Sequence, residues 1–309
     1  MQFHHLSGDV RVRLADAGLA GDDVEDIVVR TLREDLAGGD DVTSRACIDP
    51  RQRSRASFVA RAPGRIAGVE VAHAVLDVVC GPGALDFEVV RADASDVDAG
   101  DVLATVVAST LGILVAERTA LNLMCHLSGV ASATSRWVAT VEGTGAVIRD
   151  TRKTTPGLRA LEKYAVRCGG GANHRMSLSD AVLIKDNHVA AAGGVGAAFE
   201  RVRRVANGLP IEIEVDTLGQ LREALDAGAD LVLLDNMDEP TMRASVDVAR
   251  QHERESGRSV LLEASGGLSL ERALAVAQTG VHFISVGALT HSAPILDIGL
   301  DFESSATGS

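Results

Sequence analysis

Five cationic side chains fall where the chain cannot continue as a regular element. Residues 146–148 are apolar and run into Arg149-Asp150-Thr151-Arg152-Lys153-Thr154-Thr155-Pro156-Gly157. The Pro-Gly pair must end that strand, which leaves Thr151, Arg152 and Lys153 at its carboxyl end. The apolar run 181–184 stops in the same way at Lys185-Asp186-Asn187-His188, and between the two lies Gly169-Gly170-Gly171-Ala172-Asn173-His174-Arg175. From Arg149 to Lys185 there are eight basic and three acidic residues, a local charge of +5 in a chain whose net charge is −13. Each feature alone has an ordinary explanation: a snorkelling lysine, a packed histidine, a glycine-rich turn, a solvated basic face. Convergence changes the balance. Cations brought to one end of a sheet repel each other, and an anionic ligand makes the arrangement worth keeping.

An acidic set follows. Residues 211–216 alternate strictly, placing Glu212, Glu214 and Asp216 on one face of a strand, and Asp235 ends the apolar run 231–234. Parallel strands are covered on both faces, so solvent exposure is a poor account of these carboxylates. A hard divalent cation shared with phosphate oxygens suits them, and Mg2+ is the economical choice. Ser265-Gly266-Gly267, leading into a helix at 270, and Gly287-Ala288 after residues 283–286 offer small residues and backbone N–H groups fit for a phosphate monoester.

The elements that must position these groups differ between the two parts of the chain. Residues up to about 41 read as helical; 19–34 carries Val24, Ile27, Val28 and Leu32 on one face, with Asp22 and Asp23 available as caps. From 55 to 108 short β-like pieces alternate with Gly and Pro, at 56–60, 65–69, 87–90 and 102–106, with one helix at 71–79. A long helix follows at 110–141. Beyond it strand and helix alternate: strand 211–216, helix 218–227 and strand 231–235, then strand 260–264, helix 270–277 and strand 283–287. Regular βα alternation means parallel strands with helices outside, and six or seven strands favour an α/β barrel over an open sheet. Ligands of such sheets sit at the carboxyl ends of the strands, where the charged residues fall.

The strongly acidic balance argues against a nucleic-acid partner, since a phosphate backbone is held by surplus Lys and Arg. Cys47, Cys80, Cys125 and Cys168 are widely spaced and form no CxxC pair, so neither a zinc site nor a disulfide framework is expected. Residues 1–13 contain no apolar run of the secretory kind, and the best apolar stretch, 102–116, is too short to span a bilayer. The expectation is a cytoplasmic enzyme without membrane attachment.

With these residues assembled, the sequence resembles the quinolinate phosphoribosyltransferase family along nearly its whole length. The resemblance rests on Glu34-Asp35-Leu36 through Thr43-Ser44, and on Ala116-Glu117-Arg118-Thr119-Ala120-Leu121-Asn122 through Leu127-Ser128-Gly129. The most specific blocks are Asp150 through Gly157, Gly169 through Arg175, and Leu183 through His188. Glu212 to Asp216, Leu233 to Asn236, Ser265 to Leu268 and Val286 to Leu289 complete it.

The resemblance implies an α/β fold: an N-terminal α/β sandwich (an open antiparallel sheet with helices) over 1–127, and a TIM-like α/β barrel, complete or incomplete, over 128–289. The segment 290–309 would return to the first domain. It implies a homodimer with shared active sites, in which Arg118 reaches the neighbouring subunit. Arg118, Arg152, His174, Arg175 and Lys185 would hold the two carboxylates of quinolinate, and Lys153, Glu214 and Asp235 with Mg2+ would address phosphoribosyl pyrophosphate. Glu214 and Asp235 would be the metal ligands, and Lys153, Lys185, Glu214 and Asp235 the catalytic set. Ser265, Gly266, Gly267 and Gly287 would hold the 5′-phosphate, with Thr151, Ser285 and Val286 also substrate-binding. The reaction implied gives nicotinate mononucleotide, pyrophosphate and CO2, a step of de novo NAD biosynthesis. Met176-Ser177-Leu178-Ser179 and Ala264 depart from the family pattern without removing a charged group. Two rivals stand beside this reading: a nicotinate-type phosphoribosyltransferase, whose monocarboxylate needs fewer cations, and a non-catalytic anion-binding relative, which could dispense with Glu214 and Asp235.

Overall fold

The computed structural model describes residues 3–303, which divide into two compact units. The first comprises the chain up to Ala133, Thr154–Gly170 and the chain from Ser292 on; the second comprises Thr134–Lys153 and Gly171–His291.

The chain opens with α1 (Gly8–Asp16), α2 (Gly21–Leu36) and α3 (Val42–Cys47). Helix α2 buries the expected stripe of Val24, Ile27, Val28 and Leu32. Its cap differs from expectation: Ala20 occupies the cap position without a side-chain bond, and Asp22 and Asp23 lie inside the first turn. There their charge still favours the positive end of the helix dipole. Then come β1 (Arg53–Ala60), β2 (Gly64–Arg65), α4 (Val69–Cys80), β3 (Asp86–Val89), β4 (Asp96–Val97) and β5 (Val102–Ser109).

The expected strand at 65–69 is only two residues long, and the reason lies in its partners. Ser128 and Ser132 bond the backbone N–H and C=O of Ala67 and Arg65, taking the place of a neighbouring strand. Gly68 then turns through φ +96°, and the Asp93 carboxylate accepts the N–H groups of Gly68 and Val69, which starts α4. Both serines belong to α5 (Thr110–Thr140), which spans the length expected from its apolar face and whose last turns, from Thr134, fall in the second unit.

The second unit contains β6 (Val147–Arg149), while α6 (Arg159–Cys168) packs in the first. Tyr164 of α6 donates to Asp93, and Glu162 meets His126 of α5. The rest of the βα series is β7 (Val182–Ile184), α7 (Asp186–Ala192), α8 (Val195–Arg203), β8 (Ile211–Val215), α9 (Leu218–Asp226), β9 (Leu231–Asp235), α10 (Glu239–Ser256), β10 (Leu261–Ser265), α11 (Leu270–Ala277), β11 (Phe283–Ser285) and α12 (Ala288–His291). The chain then returns to the first unit as β12 (Ile298–Phe302), which pairs antiparallel with β1 and completes the sheet order β12-β1-β5-β3.

The six strands of the second unit are parallel, in the order β6-β11-β10-β9-β8-β7. Ala172 adds a parallel bridge to Arg149 on the far side of β6. The sheet therefore has the strand sequence of an α/β barrel, with its end strands β6 and β7 not paired to each other among the described residues. Side chains alternate: Ile148, Ile184, Ile213, Val215, Val232, Leu234, Leu262 and Ile284 are buried apolar groups on one face. The intervening residues, Arg149, Glu212, Glu214, Asp235, Glu263 and Ser285, put polar chemistry on the other.

Candidate active site

At the carboxyl ends of these strands lies a cavity of about 640 Å3, walled only by residues of the second unit. Of the expected site residues, Thr151, Arg152, Lys153, His174, Arg175, Lys185, Glu214, Asp235, Ser265, Gly266, Gly267, Ser285, Val286 and Gly287 all line it. Arg118 does not; it is an exposed residue of α5 in the first unit.

After β6 the backbone turns on Thr151, whose Oγ1 accepts the Lys153 N–H at 3.0 Å. Thr290 donates to the Lys153 carbonyl at 2.8 Å, fixing the same residue from the β11 side. A Cβ on Gly287 would stand 2.9 Å from Lys153 Cδ, so the glycine leaves the lysine stem its course across the loop. The Arg152 Nε is buried without a hydrogen-bond partner. Burial, and then the neighbouring Arg152, disfavour the charged form of Arg175, while Asp180 and Glu212 work the other way. Two guanidinium groups thus share a cavity wall, and an anion beside them would relieve their repulsion.

The segment carrying His174 is tied down by a buried Asp150, which accepts from Asn173 Nδ2 at 2.5 Å and from the His174 N–H at 2.9 Å. Beneath the cavity lies a charged floor. Arg149 Nη1 donates to Glu263 Oε2 at 2.6 Å, Ser285 Oγ donates to Glu263 Oε1, and Arg149 stacks over Phe283 at 4.6 Å from the ring centroid. Burial and the nearby Glu212 raise the Glu263 carboxyl above its ordinary range, against the pull of Arg149 and the hydrogen bond from Ser285. His174, Glu212 and Glu263 bring ligand atoms within 4.8 Å of one another, but Glu263 already has its counter-charge in Arg149.

The carboxylates expected to take a metal stand above this floor. Glu214 and Asp235 share the cavity, and Lys185 Nζ lies 3.7 Å from Glu214 Oε2. Burial raises the Glu214 carboxyl; Asp235 and Asp186 push it further and Lys185 opposes them. Carboxylates in mutual repulsion are stabilised by a cation, so this donor set fits a hard divalent ion. Asp216, expected on the same face, is exposed beyond the end of β8, where its N–H meets Gln220. Asn236, in the left-handed region at φ +54°, donates from Nδ2 to Asp235 Oδ2 at 2.7 Å. The phosphate-type loop Ser265-Gly266-Gly267 is alongside, with both glycines at positive φ.

Sequence reasoning missed Glu263, Arg149, Asp150 and Asn236. The signal for Glu263 was present: one acid in the otherwise apolar run 260–264, at the position that alternation assigns to the sheet's polar face.

A parallel βα sheet with cations and paired carboxylates at its strand ends defines an enzyme site for anionic, phosphorylated substrates. Residues 130–301 match the family described as quinolinate phosphoribosyl transferase, C-terminal domain, and residues 41–128 the corresponding N-terminal domain. A Mycobacterium leprae protein named nicotinate-nucleotide pyrophosphorylase (carboxylating) is 52% identical over 280 residues, covering 91% of this chain and 97% of that one. A mitochondrial quinolinate phosphoribosyltransferase (decarboxylating) of Nicotiana tabacum is 39% identical, covering 91% of this chain and 82% of its own length. The solved nicotinate-nucleotide pyrophosphorylase of Francisella tularensis superposes with a TM-score of 0.84 at 36% identity, over 91% of this chain and 96% of that one. The chain belongs to the quinolinate phosphoribosyltransferase family.

Proposed function

We propose that this chain carries out the reaction of its family, joining quinolinate to phosphoribosyl pyrophosphate with release of pyrophosphate and CO2 to give nicotinate mononucleotide. The observation that carries the reading is the gathering of Arg152, Arg175 and Lys185 in one cavity lining, where Arg152 disfavours the charged form of Arg175. A dicarboxylate supplies acceptors to both and to Lys185. Arg118 completes the set from a second copy of the chain in a homodimer. A monocarboxylate would leave part of this cationic set unsatisfied.

The chemistry follows the charges. The quinolinate ring nitrogen attacks C1 of the ribose as the C1–oxygen bond to pyrophosphate breaks. Lys153 stabilises negative charge as it develops on the leaving group. Holding the nitrogen in line with C1 contributes on the order of several kcal/mol. Once ribosylated, the pyridinium nitrogen draws electrons, the 2-carboxylate departs as CO2, and the electron pair left on C2 takes up a proton from water. Ser265, Gly266, Gly267 and Gly287 receive the 5′-phosphate. Glu214 and Asp235 would hold Mg2+, which when bound would supply positive charge against the polyphosphate. No cysteine lines the cavity, and burial pushes the thiols of Cys80 and Cys168 up to about 11. The four cysteines are free, in keeping with a cytoplasmic protein, and no helix among the described residues is long and apolar enough to cross a membrane.

Arg152→Ala and Lys185→Ala should each abolish quinolinate binding measured by calorimetry, with unchanged circular dichroism. Wild-type binding by either variant would overturn the assignment of the carboxylate site.

A further inference from the structure

The resemblance sets His174 among the groups on the substrate carboxylates, yet both of its ring nitrogens are engaged within the protein. Nδ1 accepts the backbone N–H of Arg175 at 2.7 Å. A nitrogen that accepts carries no proton, so the ring proton sits on Nε2. Nε2 in turn lies 2.8 Å from Glu212 Oε2, with Glu263 Oε1 further off at 3.6 Å. The backbone N–H of His174 is also held, by Asp150.

Glu212 is 3% exposed, does not line the cavity, and has its other oxygen buried without a hydrogen bond. Turning Nε2 toward a substrate would strip this buried carboxylate of its bond to the imidazole, which is costly in a dry interior. Turning Nδ1 would release the Arg175 backbone instead. Either movement sacrifices more than one neutral donor could gain beside two guanidinium groups.

Resting on the functional reading above, we infer that His174 is a positioning residue rather than a substrate ligand. It acts as a neutral strut from the Glu212 carboxylate in the floor to the backbone of Arg175 in the wall, so that Arg175 meets the substrate carboxylate in a fixed place beside Arg152. Glu212, which touches no substrate, thereby contributes to quinolinate recognition through two intervening groups.

The test combines a spectroscopic and a kinetic measurement. Two-bond 1H–15N spectra of the full-length protein, with His174 assigned by its absence from His174→Asn, should show a proton on Nε2 and none on Nδ1. Saturation with quinolinate should leave that pattern unchanged. A switch of tautomer or formation of an imidazolium on saturation overturns the inference.

In steady state, Glu212→Leu and His174→Asn should each raise the quinolinate KM roughly tenfold, the loss of about one charge-assisted hydrogen bond. The double variant should be no worse than the weaker single one, because both break one strut. Glu212→Gln, whose amide oxygen can still accept from Nε2–H, should recover most of the loss. Multiplying losses in the double variant, or a wild-type KM for Glu212→Leu, overturn the inference. Wild-type turnover of quinolinate is measured first: its absence overturns the functional reading and this inference together, whereas turnover with a changed His174 tautomer overturns the strut alone.

Discussion

Around Asp235 the backbone itself sets the position of a functional carboxylate. Gly266 stands at φ +92°, and a Cβ there would fall on Asn236 Oδ1, the amide whose nitrogen holds Asp235. Asn236 adopts φ +54°, which asparagine tolerates better than most residues, and its N–H reaches the Ser265 carbonyl at 2.9 Å. Replacing Gly266 therefore strains the residue and displaces the amide together. Gly266→Ala should cost about 1–3 kcal/mol in urea unfolding and raise the KM for phosphoribosyl pyrophosphate, with a smaller effect on that for quinolinate. An unchanged KM would mean that the loop does not meet this substrate. At this scale the charged residues could be read from the chain, because cations and acids announce themselves at the ends of apolar runs. Their supports could not: nothing in the string Asp235-Asn236 shows a left-handed turn, and nothing links His174 to Glu212 across 38 residues of sequence.

Among the elements, α5 joins the two parts of the chain, and its small residues decide what packs on it. Ser128 and Ser132, one turn apart, hold the backbone of Ala67 and Arg65. Gly129 sits under residues 294 and 295, and a Cβ there would collide with the Pro294 carbonyl, whose backbone has no flexible end to give way. Gly129→Ala should destabilise the protein by about 1–3 kcal/mol, as overpacking does, read as a lower midpoint in urea with the same slope. Full stability would show that the segment after Ser292 does not pack on this helix as described. The long helix and the repeated strands were legible because each carries an unbroken apolar period; helix Leu270–Ala277 and strand Leu231–Asp235 match their sequence readings at both ends. The segment 65–69 was misread as a strand because its partners are side chains of a distant helix, and because Gly68 reverses φ before α4 begins.

For the whole molecule, the order of elements in sequence is not their order in space. Helix α6 follows a strand of the second unit yet packs in the first, where Tyr164 finds Asp93 and Arg167 reaches the Ala17 carbonyl at 3.2 Å. The last strand closes the first unit's sheet against β1, with Phe58 opposite Leu300. Such returns leave no periodic trace in the sequence; residues 304–309 lie outside the described chain. One unit presents the strand ends with Arg152, Arg175, Lys185, Glu214 and Asp235 around a single cavity. The claim that this cavity couples phosphoribosyl transfer to decarboxylation is tested most directly by incubating the protein with phosphoribosyl pyrophosphate, Mg2+ and quinolinate labelled in its 2-carboxylate. Release of labelled CO2 that requires both the sugar donor and the metal is the expected result. Absence of release, with nicotinate consumed in place of quinolinate or with neither turned over, would contradict it.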